Sequence, residues 1–148
     1  MRSVTSVKQS ELKEKWYLVD AKGQRIGRIA TVVAQVLQGK NDPKSRNYHK
    51  PMNKVVIINA SKIDFTEKKG LTKFYHSYSG FPGGLRFMRL DELMVKFPNK
   101  PIEFAIKGML PHTKRGREMM ANLRVFRDET HEHSAQTPEV ININEIKL

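Results

Sequence analysis

Four consecutive β-branched aliphatic residues, Val55-Val56-Ile57-Ile58, stand between Lys54 and Asn59. A strand with one wet face alternates apolar and polar residues. An unbroken run this short is expected for a strand covered on both faces, as in a parallel sheet. Parallel neighbours need a crossover, and the preceding sequence provides one. Trp16-Tyr17-Leu18-Val19 is aromatic and β-branched, and the turn residues Asp20 and Gly23 follow it, so it reads as a strand. From Ile26 to Gln38, residues Ile26, Ile29, Ala30, Val33, Val36 and Leu37 share one helical face, while Arg28, Thr31, Gln35 and Gln38 share the other. Gly39 suits the C-terminal cap of that helix, and Lys40 suits the negative end of its dipole. Strand, helix and strand together predict a βαβ crossover.

Beyond this unit the pattern is less regular. Lys62 to Thr66 and Lys73 to Tyr78 read as short strands. Leu90, Leu93, Met94 and Phe97 mark a short helix that Pro98 ends. Pro101 suits the first position of another, whose buried stripe is Ile102, Ala105, Ile106 and Met109. A third helix is predicted from Thr113 to Leu123, and Val125-Phe126 reads as one more strand. The expected architecture is α/β: a single three-layer domain with a small, mostly parallel sheet flanked by helices, plus extended basic loops and an extended C-terminal segment. It divides into an N-terminal extension at residues 1–14, an α/β domain at 15–127 and an acidic C-terminal segment at 128–148.

Charge indicates the partner. The 148 residues carry 27 Lys and Arg against 15 Asp and Glu, a net charge of +12. Residues 1–127 hold 26 basic and 10 acidic side chains, whereas residues 128–148 hold one basic and five acidic. The excess lies in the folded body, where self-repulsion is costly unless a polyanion offsets it. Cysteine is absent, which excludes a disulfide framework, a thiolate zinc site and a cysteine nucleophile. No apolar stretch is long enough for a secretory signal or a membrane span, so an intracellular protein without a membrane partner is expected.

Three segments concentrate the cations. The loop from Lys40 to Asn53 carries Lys40, Lys44, Arg46 and Lys50 against Asp42, with Tyr48 and His49 placed to stack on a base or touch a sugar. Fourteen residues is long for a crossover loop, and such loops are usually functional. The stretch from Lys68 to Arg89 interleaves Lys68, Lys69, Lys73, Arg86 and Arg89 with Phe74, Tyr75, Tyr78 and Phe81. About half of those aromatics are expected in the core. Gly80, Gly83 and Gly84 lack a Cβ, so a phosphate could approach their amides. The third segment runs from Lys107 to Arg117. Lys114, Arg115 and Arg117 crowd a helix start against its dipole, an arrangement that an external anion explains better than helix stability does.

Other chemistries find little support. His131 and His133 alternate on an extended segment, but zinc needs three or four ligands and no convincing carboxylate spacing completes a site. RNA contact or plain surface exposure is expected instead. Gly23-Gln24-Arg25-Ile26-Gly27 faintly echoes a dinucleotide loop but is not G-x-G-x-x-G. No nucleophile elbow, H-E-x-x-H helix or acid–base carboxylate pair is evident. The competing readings are an architectural DNA-binding protein and a nucleotide-dependent enzyme using the Gly23–Gly27 turn.

The blocks Trp16-Tyr17-Leu18-Val19-Asp20-Ala21, Gly27-Arg28-Ile29-Ala30, Leu37-Gln38-Gly39-Lys40 and Asn59-Ala60-Ser61-Lys62 continue through Tyr75-His76, Ser79-Gly80-Phe81-Pro82-Gly83-Gly84-Leu85 and Ala105-Ile106-Lys107-Gly108-Met109-Leu110-Pro111. They end at His131, His133, Ser134-Ala135-Gln136 and Pro138. In this order, over roughly residues 15–143, they resemble the L-thirteen family of large-subunit ribosomal proteins, bacterial or organellar type. The block from Lys107 to Pro111 is the most specific. The sequence departs from the family pattern at Tyr48-His49-Lys50-Pro51, Asn53-Lys54, Thr66-Glu67 and Leu71-Thr72-Lys73-Phe74.

The resemblance implies a structural constituent of the large ribosomal subunit, with no catalytic residues, no cofactor and no metal. It would bind large-subunit rRNA and act early in subunit assembly. Neighbouring large-subunit ribosomal proteins are the other expected partners. No small-molecule substrate and no homo-oligomer are expected. The location would be a cytoplasmic bacterial ribosome, with an organellar ribosome as the alternative. The candidate RNA contacts are Arg25, Arg28, Lys40, Lys44, Arg46, His49, Lys50, Lys68, Lys69, Lys73, Tyr75, His76, Tyr78, Gly83, Gly84, Arg86, Lys107, Lys114, Arg115, Arg117, His131 and His133.

Overall fold

A computed structural model describes residues 13–43, 45 and 48–143. The expected βαβ unit is its centre. Strand β1 (Lys15–Asp20) leads through helix α1 (Ile26–Gln38) to strand β2 (Asn53–Ile58). The two strands pair in parallel from Lys15 opposite Asn53 to Asp20 opposite Ile58. Gly39 closes α1 in the left-handed conformation (φ 75°), and the terminal backbone N–H groups reach back to the carbonyls of Gln35 and Val36.

The remaining elements are α2 (Glu67–Thr72), β3 (Phe74–Tyr78), β4 (Leu85–Arg89), α3 (Leu90–Lys96), α4 (Asn99–Met109), α5 (Lys114–Ala121), β5 (Leu123–Val125) and β6 (Glu139–Val140). Strands order as β5-β2-β1-β6, with every pairing in this sheet parallel. Antiparallel pairing is confined to a separate β3–β4 ribbon. The chain is thus α/β, with a parallel sheet flanked by helices.

Alternation along the strands decides what each sheet face touches. Tyr17, Val19, Val55, Ile57 and Leu123 join Ile29, Val33 and Leu37 of α1, Ile102 and Ile106 of α4 and Met119 of α5 in one buried cluster. Val56 and Ile58 point to the opposite face and are buried too, as the unbroken aliphatic run predicted. Near that face the C-terminal segment folds back. The His133 ring lies 5.1 Å from that of Trp16 and 5.8 Å from that of Phe126. Lys54 approaches the Trp16 ring at 4.9 Å.

Several expectations change. Lys62 to Thr66 is not a strand: a 3-10 turn spans Ala60–Lys62, and Asp64 makes only an isolated bridge to Arg25. Ile63 and Phe65 supply the alternation, but among the described residues no strand lies alongside to complete a ladder. Helix α2 was not expected. Its central Gly70 fits against Phe65, whose ring would lie 3.0 Å from an added Cβ. Pro101 occupies the third rather than the first position of α4. The acidic end of the chain is more than a surface tail: Ser134–Gln136 forms a 3-10 turn, and β6 adds an edge strand beside Tyr17 and Leu18.

Candidate nucleic-acid interface

The long crossover loop is held at the edge of the sheet where the strands begin, by side-chain amides placed along it. Buried Asn53 donates Nδ2 to the Val36 carbonyl (2.7 Å) and to Asn41 Oδ1 (3.2 Å), and Asn41 Nδ2 donates to the Tyr17 hydroxyl (3.1 Å). Asn122, between α5 and β5, donates to the Pro51 carbonyl (3.1 Å). These bonds satisfy backbone and amide groups that would otherwise be stranded near the core. They also fix where Lys40 and Lys50 emerge, both exposed.

The C-terminal ends of α1 and α4 meet at the same edge, where Gln38 Nε2 donates to the Met109 carbonyl (3.3 Å). The chain then turns sharply into α5. A Cβ on Gly116 would collide with the Pro111 carbonyl oxygen, so only glycine allows this approach. The Thr113 hydroxyl caps α5 by accepting from the Gly116 N–H (3.4 Å). The turn sets Lys107 and Arg117 on one open groove of about 640 Å³, with Phe104, Leu110, Pro111, His112 and Met120 in its walls. Arg115 faces the other way, toward a narrow cleft that Lys13, Gln38, Asp42 and Lys50 also line. The loop cations and the α5 cations, 60 or more residues apart in sequence, therefore share one edge. Lys40, Lys107, Lys114 and Arg117 form no ion pair among the described residues, and the first turn of α5 contains no acid.

The other expected contacts separate from this cluster. Arg25 and Arg28 are exposed at the start of α1. That is about 20 Å from Lys40, given 1.5 Å of rise per residue over thirteen residues. Lys68 and Lys69 lie on α2, next to the ribbon that carries Lys73, Tyr75, His76, Tyr78 and Arg86. Gly83 adopts a left-handed conformation (φ 73°) in the ribbon turn. The Gly84 N–H donates to the Phe81 carbonyl (2.9 Å), so it does not present a free amide to phosphate. The expectation that half of the aromatics are core fails. Of Phe74, Tyr75, Tyr78 and Phe81, only Tyr75 is partly buried, stacked on Phe104 at 5.5 Å.

The histidines also move inward. His49 is buried, with its ring edge-on to exposed Tyr48 (4.4 Å), which leaves Tyr48 as the outward aromatic of that loop. His131 and His133 are half-buried against Phe126 and Trp16, and His131 Nδ1 accepts from the His133 N–H (3.2 Å). They pin the C-terminal segment in place. Among the described residues no group of His, Cys, Asp and Glu could hold a metal. Lys44 and Arg46 lie outside the described residues. The candidate residues that sequence reasoning missed are Phe104 and His112, which line the groove, and exposed Phe87. Phe104 and Phe87 read as ordinary apolar residues until their exposure is known.

The Gly23 turn is not a phosphate loop. Its amides are already committed: Lys22 N–H to Asp20 Oδ1, Gly23 N–H to the Lys62 carbonyl, and Gln24 N–H to the Ala21 carbonyl. Asn59, itself left-handed, bonds Asp20 Oδ1 (2.9 Å) across the ends of β1 and β2. This is the edge where α/β folds usually bind nucleotides.

Comparison with known proteins agrees with the geometry. The family model described as ribosomal protein L13 matches residues 14–132. The "large ribosomal subunit protein uL13" of Prochlorococcus marinus is 44% identical over 137 residues, 93% of this chain and 91% of that protein. The protein of the same description from Mycoplasma mobile is 43% identical, covering 97% of this chain and 99% of its own length. That from Limosilactobacillus fermentum is 41% identical, covering 99% of both. A full-length match at this identity, on a fold whose cations gather at one edge and whose nucleotide-like turn is spent on internal bonds, places the chain in the ribosomal protein L13 family, which is structural rather than enzymatic.

Proposed function

We propose that this protein is a structural constituent of the large subunit of a bacterial, cytoplasmic ribosome. It would bind large-subunit rRNA early in assembly and later contact neighbouring ribosomal proteins. The observation that carries the rRNA-binding part is the convergence of Lys40, Lys50, Lys107, Lys114, Arg115 and Arg117 at the strand-start edge, from segments far apart in sequence. The mechanism is electrostatic and geometric. The packed sheet holds the cations at fixed positions, phosphates of separate RNA segments meet them, and counterions are released. Shape and backbone recognition dominate, because the deep groove of an A-form helix hides its bases from side chains.

Lys114, Arg115 and Arg117 changed together to Glu test the reading. Fluorescence anisotropy with large-subunit rRNA fragments is expected to show weaker binding and a shallower dependence on salt, with the variant still folded by circular dichroism. Six to ten neutralised phosphates would cost the native protein roughly 10³–10⁵ in affinity between 50 and 200 mM salt. A folded variant that binds like the native protein overturns the placement of the site. Sedimentation of a lysate tests the wider reading: co-migration with large subunits after a high-salt wash supports it, and recovery only at the top of the gradient refutes it.

A further inference from the structure

The β3–β4 ribbon has two unlike faces. Its register sets Phe74, His76, Tyr78, Leu85, Phe87 and Arg89 on one side and Tyr75, Ser77, Arg86 and Met88 on the other. The second side turns inward, because Tyr75 stacks on Phe104 of α4 with the rings 25° from parallel. On the first side, Phe74 is 57% exposed, Tyr78 63% and Phe87 64%, with Phe81 at the ribbon tip at 72%. Soluble proteins rarely leave so many large apolar groups together in water unless something covers them.

Charge selects the occupant. From Lys73 to Arg89 the ribbon holds three cations and no acid; Arg89 is paired with Asp91 and Glu92 of α3, which leaves Lys73 and Arg86, and Lys68 and Lys69 of adjacent α2 extend the same sign. A partner must therefore offer flat apolar faces together with negative charge. Unpaired RNA bases on their phosphate backbone do so, whereas a duplex keeps its base faces stacked inside. Same-face side chains along a strand stand about 7 Å apart, which leaves room for a separate base on each ring.

We propose that this outer face of the β3–β4 ribbon is a stacking platform for two or three unpaired bases of large-subunit rRNA. The proposal rests on the reading of the chain as an rRNA-binding protein and adds what the ribbon binds. It predicts a contribution that differs in kind from that of the cation cluster, since stacking displaces few counterions.

The test uses the full-length protein with Phe74, Tyr78 and Phe87 all changed to Leu, which keeps apolar area but removes the aromatic faces. A second variant, Phe87→Leu alone, guards against local unfolding of the ribbon. Affinity for large-subunit rRNA is expected to fall about tenfold for each base that loses its ring. The slope of log affinity against log salt should stay unchanged, and chemical probing should show unpaired nucleotides losing protection. Phe87→Trp should bind at least as tightly as the native protein. Unchanged affinity and protections in folded Leu variants overturn the platform while native binding still upholds the broader function. Unchanged rRNA affinity with weakened retention in reconstituted subunits identifies a protein occupant and also overturns it. If the native protein does not bind rRNA, the functional reading fails and the platform with it.

Discussion

The βαβ centre and the β3–β4 ribbon are built from similar apolar material and come to opposite ends. Val55 to Ile58 lie buried on both faces. Phe74, Tyr78 and Phe87 project into solvent from strands just as rich in strand-forming residues. The difference is the number of layers. The parallel sheet has α1, α4 and α5 on one side and the Trp16–Phe126–His133 contacts near the other. The two-stranded ribbon touches α2 and α3 through β4 and has the Tyr75–Phe104 contact on one side, but no second layer lies over its outer aromatics among the described residues. Hydrophobicity marks a surface that will be covered, but it does not say whether this chain or another molecule covers it.

Breaking the centre should cost most. Ile57→Ala removes buried methyl groups between α1 and the sheet and is expected to destabilise by about 2–5 kcal/mol, read from urea unfolding. Next comes Gly116→Ala, whose methyl must push against the Pro111 carbonyl. A loss of about 1–3 kcal/mol is expected, with rRNA binding weakened because the groove holding Lys107 and Arg117 must shift. Thr113→Ala removes a long cap bond and should cost about 0.5–1 kcal/mol, seen as faster hydrogen exchange in the first turn of α5. Phe87→Ala, on the exposed ribbon, should change stability by no more than about 0.5 kcal/mol. If Phe87→Ala instead destabilises as much as Ile57→Ala, the contrast between the two regions collapses and the ribbon belongs to the core.

Much of the frame was legible because local periodicity and long-range packing agree there. The apolar stripe of α1, ended by Gly39, marks its boundaries, and the unbroken run of β2 announces a doubly covered strand. Helix α2 was hidden because Glu67–Thr72 has a glycine at its centre and a single large apolar residue, Leu71, which is exposed. It exists because Phe65, α3 and β4 pack around it. Lys62 to Thr66 misled for the converse reason: a strand pattern without a neighbouring strand satisfies no ladder.

The candidate binding surface divides along the same line. Net charge, its restriction to residues 1–127 and the identity of the cationic segments were fixed by the sequence itself, because charge adds up whatever the fold. Tertiary structure alone decided that Lys50 and Arg115 line one cleft, that Lys107 and Arg117 share one groove, and that Arg25 and Arg28 stand at the far end of α1. It also decided that His49, His131 and His133 turn toward protein while the ribbon aromatics turn outward. Direction and proximity between distant segments depend on how layers stack. A side chain's type limits what it can contact, and only the packed neighbours determine what it reaches.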